Sequence, residues 1–467
     1  MNRGPMNPIA RRLTMPPRYA AVVCGNGLLL LAASGADVIL GTTSVQPLAV
    51  VTVAASVLGL AVLLVATLDM PAPERLRQLV FRLRYVVLAA AATLTIDTLA
   101  IFATILVILV ATTPSIAYSS DVIAFTSHDA TLTLSGQNPY TSDDEFTSVL
   151  RQYPHIRPTP LRHGAFGAGD VYPSDVAVAR EAQQYINAPQ TTAGELDPRT
   201  LHSYPALSFL LYIPFLSLGG QNIVWFQIVA YLALLVWLVS LAPPGLRRWS
   251  ILAAASTVTV LGYSVLIDNE GICIAFVLLA WHFRDRRWAS SLLLGLGCAF
   301  KQYCWFFVPV FLIESLMASG PKETLKRGAI TLAAFLVPNL PYILSSPGAW
   351  WNSLWLPMSD PMFPMGMGFI ALSLGHLAPF APFAFYTALE ALALAGAMWC
   401  QVRWRGILGD GVLLLALVPL LFAFRSSINY FTVASLLALY AVNICYRLRE
   451  HTLPELPAQR TPAFADA

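Results

Sequence analysis

The acids and bases of this chain that could do chemistry stand where its apolar stretches end. Residues 118–140, YSSDVIAFTSHDATLTLSGQNPY, follow a long apolar run and place Asp121, His128 and Asp129 within nine residues. If this stretch is a helix, the three side chains share one face. Asp121 and Asp129 then lie about 12 Å apart, at ~1.5 Å rise per residue. They are too far apart to attack one carbon as a close pair. One carboxylate is therefore expected to be a base and the other to support it.

Two cations interrupt apolar sequence further along the chain. Lys301 stands between two short apolar runs in GLGCAFKQYCWFF, and Arg425 separates an apolar pair in LLFAFRSSINYF. A lysine flanked in this way is expensive in lipid and usually faces a cavity or a partner. The plainer alternatives are a lysine that snorkels to the interface and an arginine in a short turn.

An acid and two fixed cations suit the transfer of a sugar from a lipid phosphate. The leaving group is already a phosphate, so the cations Lys301 and Arg425 would stabilise the charge that develops on it. The carboxylate of Asp121 would remove the proton of the acceptor hydroxyl. Direct attack of this kind inverts the anomeric centre. The plain alternative for Asp121 is a solvated or capping acid at a helix start.

These residues must be positioned by membrane helices. The chain has 467 residues, of which 57% are hydrophobic and 11% charged, against roughly 25% charged residues in ordinary soluble domains. Several apolar runs reach the ~20 residues that span a bilayer. The sequence predicts an all-α polytopic membrane protein with a lipid bilayer as its environment. A net charge of +3 gives no case for nucleic-acid binding.

We predict about 11–13 transmembrane helices with one large loop after the third. The candidate spans are 19–40, 46–68, 85–113, 204–219, 222–242, 250–267, 271–283, 288–300, 303–318, 328–344, 379–400, 408–424 and 428–446. Bases cluster at 75–84, 284–287, 322–327, 403–405 and 447–449, which the positive-inside rule places in the cytoplasm. Arg247 and Arg248 also look cytoplasmic, but placing them there leaves one membrane span too many between residues 204 and 267. Either 204–219 does not fully cross, or these two arginines lie outside.

The chain divides into three parts. Residues 1–84 form an N-terminal helical hairpin with a basic cytoplasmic loop, 85–446 a catalytic transmembrane domain, and 447–467 a cytoplasmic tail. The catalytic part includes the extracytoplasmic loop 114–203, which holds ten of the 25 acids and four of the seven histidines. Its Pro and Gly content indicates short helices packed on the outer face. The runs 271–283 and 288–300 are short and are interpreted as half-helices that line a cavity.

The sequence supports neither a disulfide framework nor a metal site. The six cysteines lie in or beside apolar runs and include no CxxC pair. His155, His163 and His202 have no ligand spacing, and neighbouring His128 and Asp129 cannot bind one ion from a regular helix. The sequence indicates no particular cofactor, and a divalent metal stays an open alternative.

The order of these motifs resembles the GT-C superfamily of membrane glycosyltransferases. Asp121 follows an early membrane helix, and Gly136-Gln137-Asn138-Pro139-Tyr140 comes about 15 residues later. Two further motifs follow along the chain: Tyr204-Pro205 and a Gly-x-x-x-x-x-Lys segment that ends at Lys301. The chain is most similar to glycosyltransferase family 87, the polyprenol-phosphate-dependent mannosyltransferase type. The resemblance covers roughly residues 85–446.

The resemblance implies that Asp121 is the catalytic base and that Lys301 binds the donor's phosphate. From the residues themselves we expect His128 and Asp129 to support the base, and Arg425 and Tyr204 to join Lys301 at the phosphate. Substrate contacts are expected from Gln302, Tyr303, Asn138, Tyr140, Asp268, Asn269, Asn429 and Tyr430. The donor is a polyprenyl-phosphate sugar and the acceptor a glycan or glycolipid. The reaction takes place on the extracytoplasmic side of the cell membrane.

A transporter or flippase is the main rival hypothesis. Intramembrane acids are its usual mark, and Asp97, Glu390 and Asp268 lie within or beside predicted spans. Asp268 and Glu270 also lie beside two of the short runs, as in broken-helix transporters. Inverted repeats are not visible, and transporters seldom need a long acidic outer loop. A membrane scaffold that only presents this loop is a weaker third hypothesis.

Overall fold

The structure is a computed structural model. It describes residues 15–41, 46–69, 92–93, 96, 100, 118, 120–141, 145–153, 156, 158–162, 166–167, 172–187, 203–359 and 362–452.

Helices dominate these residues, with a single two-residue strand pair between them. The helices are α1 Pro17–Gly41, α2 Gln46–Thr67, α3 Asp121–Leu134, α4 Glu145–Gln152, α5 Asp175–Asn187, α6 Leu207–Leu210, α7 Ile213–Ser217, α8 Ile223–Ser240, α9 Arg247–Ala255, α10 Val258–Ser264, α11 Glu270–His282, α12 Arg287–Phe300, α13 Val308–Ser319, α14 Pro321–Ser345, α15 Pro347–Ser359, α16 Ile370–Leu374, α17 Phe383–Leu408, α18 Ile428–Thr432 and α19 Ala434–Thr452. The strands are β1 Met365–Gly366 and β2 Arg425–Ser426, and the longer 3-10 helices are Gln302–Phe307, Gly409–Leu417 and Pro419–Phe422.

The all-α polytopic membrane class is confirmed. Within the described part of the chain, seven helical segments are long and apolar enough to cross a membrane. They are Pro17–Leu40, Gln46–Thr67, Ile223–Ser240, Gln302–Ser319, Pro321–Ser345, Phe383–Phe422 and Ile428–Glu450. The larger predicted number of spans includes 85–113, most of which lies outside the described residues. It also includes 204–219, 250–267, 271–283 and 288–300, which the structure builds from shorter helices.

One end of the bundle, here named the arginine end, collects ion pairs from separate helices. Arg284 pairs with Asp410 at 3.0 Å, and Arg405 pairs with Glu314 at 2.5 Å. Arg449 pairs with Asp69 at 3.1 Å. The basic segments that the sequence places on one side of the membrane therefore meet in space. The opposite end, where α11 begins and α12 ends, is named the site end.

The predicted span 204–219 does not cross. It consists of helices α6 and α7, which are four and five residues long, whereas a crossing takes about 20 residues. The next helix, α8, starts near Tyr118, whose hydroxyl accepts a hydrogen bond from the Ile223 N–H. Asn443 on α19 donates to the Leu238 carbonyl at the other end of α8 and to Ser250. Arg247 and Arg248 therefore lie toward the arginine end, which removes the surplus span.

Helices α11 and α12 form a short antiparallel hairpin. They have 13 and 14 residues, and thus rise about 20 Å each, compared with ~30 Å of hydrocarbon in a bilayer. Gly295 lets α12 approach α14 closely, because a side chain there would collide with the Thr331 carbonyl. The site end of this hairpin therefore lies deeper in the bundle than the ends of the longer helices.

The N-terminal hairpin packs into the same core as the rest of the bundle. Arg18 on α1 donates to the Ala66 carbonyl on α2 at 2.9 Å. The Tyr19 hydroxyl donates to Asn443 on α19 at 2.7 Å, and Ser56 donates to the Met367 carbonyl at 2.7 Å. The predicted boundary near residue 84 falls outside the described residues.

Candidate functional site

A buried ion cluster lies at the site end of the α11–α12 hairpin. Lys301 follows α12 directly and adopts an extended backbone before the 3-10 turn that starts at Gln302. Its ammonium donates to Glu270 at 2.6 Å and to Asp268. The same nitrogen lies 4.7 Å from the centre of the Tyr204 ring. The structure thus brings together Lys301, Tyr204 and Asp268, which the sequence predicts as site residues.

This cluster is closed to solvent and unbalanced in charge. Lys301 is 3% exposed, Asp268 5% and Glu270 0%, so two carboxylates face one ammonium. Removing charges from water costs several kcal/mol per ion, which only close pairing offsets. Oε2 of Glu270 and both amide atoms of the buried Asn269 have no hydrogen-bond partner among the described residues. Asn269 is 1% exposed, and its predicted contact with substrate stays a prediction.

Lys301 is bonded to two acids in this structure. A lysine has three N–H donors. Two of them face Glu270 and Asp268, and the ammonium also lies over the Tyr204 ring. The roles at the donor's phosphate that are expected of Lys301 and Tyr204 stay predictions.

Asp121 is the first residue of α3 and lies next to the cluster. Its Oδ1 accepts a hydrogen bond from the Val122 N–H at 2.8 Å, and its Oδ2 accepts one from the Thr159 N–H at 2.6 Å. It is 8% exposed. Burial raises the pKa of this carboxyl, the hydrogen bonds from Thr159 and Val122 oppose the rise, and the nearby charge of Asp268 adds to it. A carboxylate with increased proton affinity is suited to accept a proton.

Three hydrogen bonds hold the segment 425–430 beside the ion cluster, and one of them reaches a cluster residue, Asp268. The Asn429 side-chain amide donates to Asp268 Oδ2, and the Ser264 hydroxyl donates to the Asn429 carbonyl at 3.1 Å. The Tyr303 hydroxyl donates to the Tyr430 carbonyl at 2.9 Å, and these two rings stack. The structure therefore places Asn429, Tyr303 and Tyr430, which are predicted to contact substrate, around the cluster.

Arg425 is the cation of the site that keeps a free donor. It lies on β2, which pairs in parallel with β1, and its Nη2 lies 3.1 Å from Met365 Sδ. Its Nη1 is buried without a hydrogen-bond partner among the described residues, and so is the Ser426 hydroxyl. Arg425 is half-buried and close enough to Tyr430 to interact electrostatically. It can offer N–H groups to an anion without breaking an ion pair.

The segment that carries Tyr204 is anchored by hydrogen bonds from Tyr140 and Gln302, and Asn138 in turn holds Tyr140. The Tyr140 hydroxyl donates to the Tyr204 carbonyl at 2.8 Å, and Tyr140 is 2% exposed. Asn138 accepts from the Tyr140 N–H and donates to Ser345. Gln302 donates to the Ser203 carbonyl at 2.5 Å. These groups therefore have structural hydrogen bonds, and their predicted contacts with substrate stay predictions.

His128 and Asp129 lie two turns along α3 from Asp121 and serve its packing. The helix predicted over this stretch is confirmed. The His128 ring bonds with Gln152 of α4 at 3.2 Å, and burial lowers the pKa of this histidine. Asp129 is fully buried and lies near Tyr342 of α14. The helical rise of about 1.5 Å per residue separates them from Asp121, so the predicted support of the base is indirect.

Of the acids named for the rival transport hypothesis, the structure describes Asp268 and Glu390, and of these two Asp268 alone belongs to the ion cluster. Asp97 lies outside the described residues. Glu390 is half-buried on α17 and does not belong to the ion cluster. In the described ranges, no group of three or more His, Cys, Asp or Glu side chains is placed to hold a metal ion.

Three features of the site were missed in the sequence. Glu270 is the second partner of Lys301, and the Thr159 N–H binds Asp121. Cys273 and Cys304 form a disulfide, contrary to the expectation of no disulfide framework. Each cysteine follows a member of the ion pair by three residues, namely Glu270 and Lys301, and this equal spacing is the signal that could have suggested the pairing.

No family model, curated protein or solved structure matches this chain.

Proposed function

We propose that the protein is an integral membrane glycosyltransferase that moves a sugar from a polyprenyl-phosphate donor to an acceptor hydroxyl. The observation that carries this proposal is the arrangement at the site end. A buried carboxylate with raised proton affinity, Asp121, lies beside an ion cluster, and Arg425 nearby has an unpaired buried N–H. The resemblance of the motif order to the GT-C superfamily, family 87 in particular, supports the same function.

The reaction is a single displacement with Asp121 as general base. The acceptor hydroxyl donates its proton to Asp121 while its oxygen forms a bond to the anomeric carbon. The bond between this carbon and the phosphate oxygen breaks, and the electron pair leaves with polyprenyl phosphate. Because the oxygen attacks opposite to the leaving group, the configuration at the anomeric carbon inverts. Hydrogen bonds from the Val122 and Thr159 N–H groups hold the two oxygens of Asp121 in place for the incoming hydroxyl.

Arg425 is assigned to the donor's phosphate. A guanidinium presents a planar set of N–H donors that matches phosphate oxygens, and one such donor of Arg425 is buried and unpaired within the described chain. The Ser426 hydroxyl beside it adds a second unpaired group. Donors already in place where charge develops stabilise the transition state more than the ground state.

The site end is assigned to the extracytoplasmic side of the cell membrane. Arg284, Arg405 and Arg449 meet at the arginine end, and basic residues mark cytoplasmic loops. A donor anchored in the bilayer would then present its sugar to the site end, and the acceptor would be a glycan or glycolipid outside the cell.

The proposal is tested with the purified protein in detergent and a panel of radiolabelled polyprenyl-phosphate sugars. A covalent product with inverted anomeric configuration is expected for one sugar of the panel, together with release of polyprenyl phosphate. Release of free sugar without transfer, or no turnover with any donor and any glycan acceptor, would contradict the proposal.

Transport is retained as the second candidate because of the ion cluster. Buried acids and a lysine at the end of short helices also fit a carrier for a polar or charged solute. The protein is reconstituted into vesicles with the same labelled compounds. Uptake of label without a covalent product would favour the carrier, whereas product formed in detergent favours the transferase.

A further inference from the structure

The first two turns of α14 carry a cationic surface at the arginine end. Lys322 and Lys326 lie about one helical turn apart, and both are exposed. Glu323 lies between them and accepts hydrogen bonds from Arg287 at 2.9 Å and from Arg327 at 3.2 Å. Four cations therefore surround one acid, and this acid is already bonded to the two arginines. The positive charge of the two lysines is left to attract an anion from outside the chain.

This surface is fixed in the fold by contacts between α14 and the α11–α12 hairpin. Arg327 donates to the Arg284 carbonyl at 2.6 Å, and Thr331, one turn deeper, donates to the Ser291 carbonyl at 3.2 Å. Neither α12 nor α14 has a side-chain cap at its N-terminus. The positive ends of both helix dipoles therefore add to the potential of the lysines.

Other cations of the arginine end have acids of their own. Arg405 pairs with Glu314, and Arg449 pairs with Asp69. By contrast, neither Lys322 nor Lys326 forms an ion pair with an acid in the part of the chain that the structure describes. The excess of positive charge is thus concentrated at the start of α14.

The face of α14 that carries the lysines continues as an apolar stripe. Leu325, Leu332 and Leu336 follow Lys322 at helical spacing and are 77%, 57% and 36% exposed. Helix α14 is also the least buried of the seven spanning segments. Trp288, at the start of neighbouring α12, is 67% exposed, and tryptophan is enriched at the level of the lipid headgroups. The lysines therefore lie at headgroup depth, above a surface that faces lipid chains.

We propose that Lys322 and Lys326 bind the phosphate of an anionic phospholipid, whose acyl chains lie along the exposed leucines of α14. Clusters of basic residues at the end of a membrane helix attract anionic lipid headgroups. A soluble phosphate or an acidic protein segment would use the lysines but would leave the apolar stripe without a ligand. The site lies at the opposite end of the bundle from Asp121 and Arg425, so it is compatible with either candidate function.

Native mass spectrometry of the purified full-length protein in detergent measures the affinity for single lipid molecules. Phosphatidylglycerol is compared with phosphatidylcholine of identical acyl chains. The wild type is expected to bind the first phosphatidylglycerol about tenfold or more tightly, since choline neutralises the phosphate that the lysines would attract. Equal affinity for the two phospholipids would overturn the proposal.

The double variant Lys322→Gln, Lys326→Gln tests the residues of the site. Its preference for phosphatidylglycerol should fall to within about twofold, whereas Lys322→Arg, Lys326→Arg keeps the charge and should keep the preference. The control Arg247→Gln, Arg403→Gln removes the same charge from exposed positions on α9 and α17 and should also keep it. An unchanged preference in the lysine-to-glutamine variant, or an equal loss in the control, would overturn the site. Thermal unfolding verifies that each variant is folded.

Two further measurements distinguish a bound lipid from a bound soluble anion. Glycerol 3-phosphate at millimolar concentration should leave phosphatidylglycerol in place, and displacement of the lipid would overturn the proposal in favour of a soluble phosphate. The variant Leu325→Ala, Leu332→Ala should weaken the binding of both phospholipids by about threefold or more, because less apolar surface meets the chains. Unchanged affinity for both would refute the position proposed for the acyl chains.

Discussion

The two ends of the helical bundle carry charge in different ways. At the arginine end, pairs such as Arg405 with Glu314 and Arg449 with Asp69 match one cation with one acid, and the side chains of both arginines are 40% exposed. At the site end, Lys301 faces two acids and all three side chains are nearly closed to solvent. Exposed pairs contribute little to stability, whereas buried unequal charges are costly and persist where they have a function.

The largest difference between the two ends is expected on removal of a single cation. Lys301→Met leaves Asp268 and Glu270 buried without a counter-ion, so the free energy of unfolding should fall by about 3–5 kcal/mol. Arg405→Met is the matched control at the arginine end and should cost no more than about 1 kcal/mol. Thermal or denaturant unfolding in detergent measures both. Equal losses in the two variants would remove the distinction between the ends.

The second-largest effect is expected from a substitution in the strand pair that carries Arg425. Gly366 has φ of 120°, and a side chain there would collide with the Ser426 carbonyl. Gly366→Ala should therefore separate β1 from β2 and weaken farnesyl phosphate binding by about tenfold, which is the loss expected when Arg425 is displaced. Gly396→Ala on α17 is the control, because a side chain at that position meets no atom within 4 Å. Tight binding in the first variant would show that the strand pair does not position Arg425.

The pH dependence of sugar transfer should show whether the base has the raised pKa of a buried acid or the ordinary pKa of an exposed one. Burial raises the pKa of Asp121, compared with about 3.9 for an unperturbed aspartate. Asp121 must be ionised to accept a proton, so kcat/KM should fall as the pH decreases through this raised pKa. Asp268→Asn removes a like charge and should move the midpoint to lower pH. A rate that stays constant down to pH of about 4 would exclude Asp121 as the base.

Much of the architecture is encoded in local sequence. Apolar runs of spanning length identify the membrane class, because every backbone polar group in lipid must be satisfied within a helix. The helix that starts at Asp121 and the burial of Lys301 were likewise predicted from their immediate neighbours. The grouping of the arginines at one end also agrees with their pattern along the chain.

The partners of the site residues were harder to predict, because they come from distant positions. Asp268 and Glu270 are 33 and 31 residues before Lys301, and Met365 is 60 residues before Arg425. Such contacts depend on how helices pack and where they end. The sequence could place a lysine in a cavity, but it could not indicate that two acids already occupy its donors.

Asp121 is the residue on which the proposed function depends most. The deciding measurement is the single-turnover rate of sugar transfer by Asp121→Asn, compared with Asp175→Asn, an exposed acid at the start of α5. A general base predicts a loss of about 10²-fold or more in the first variant and an almost unchanged rate in the second. Transfer at the wild-type rate by Asp121→Asn would contradict the assignment of Asp121 as the base.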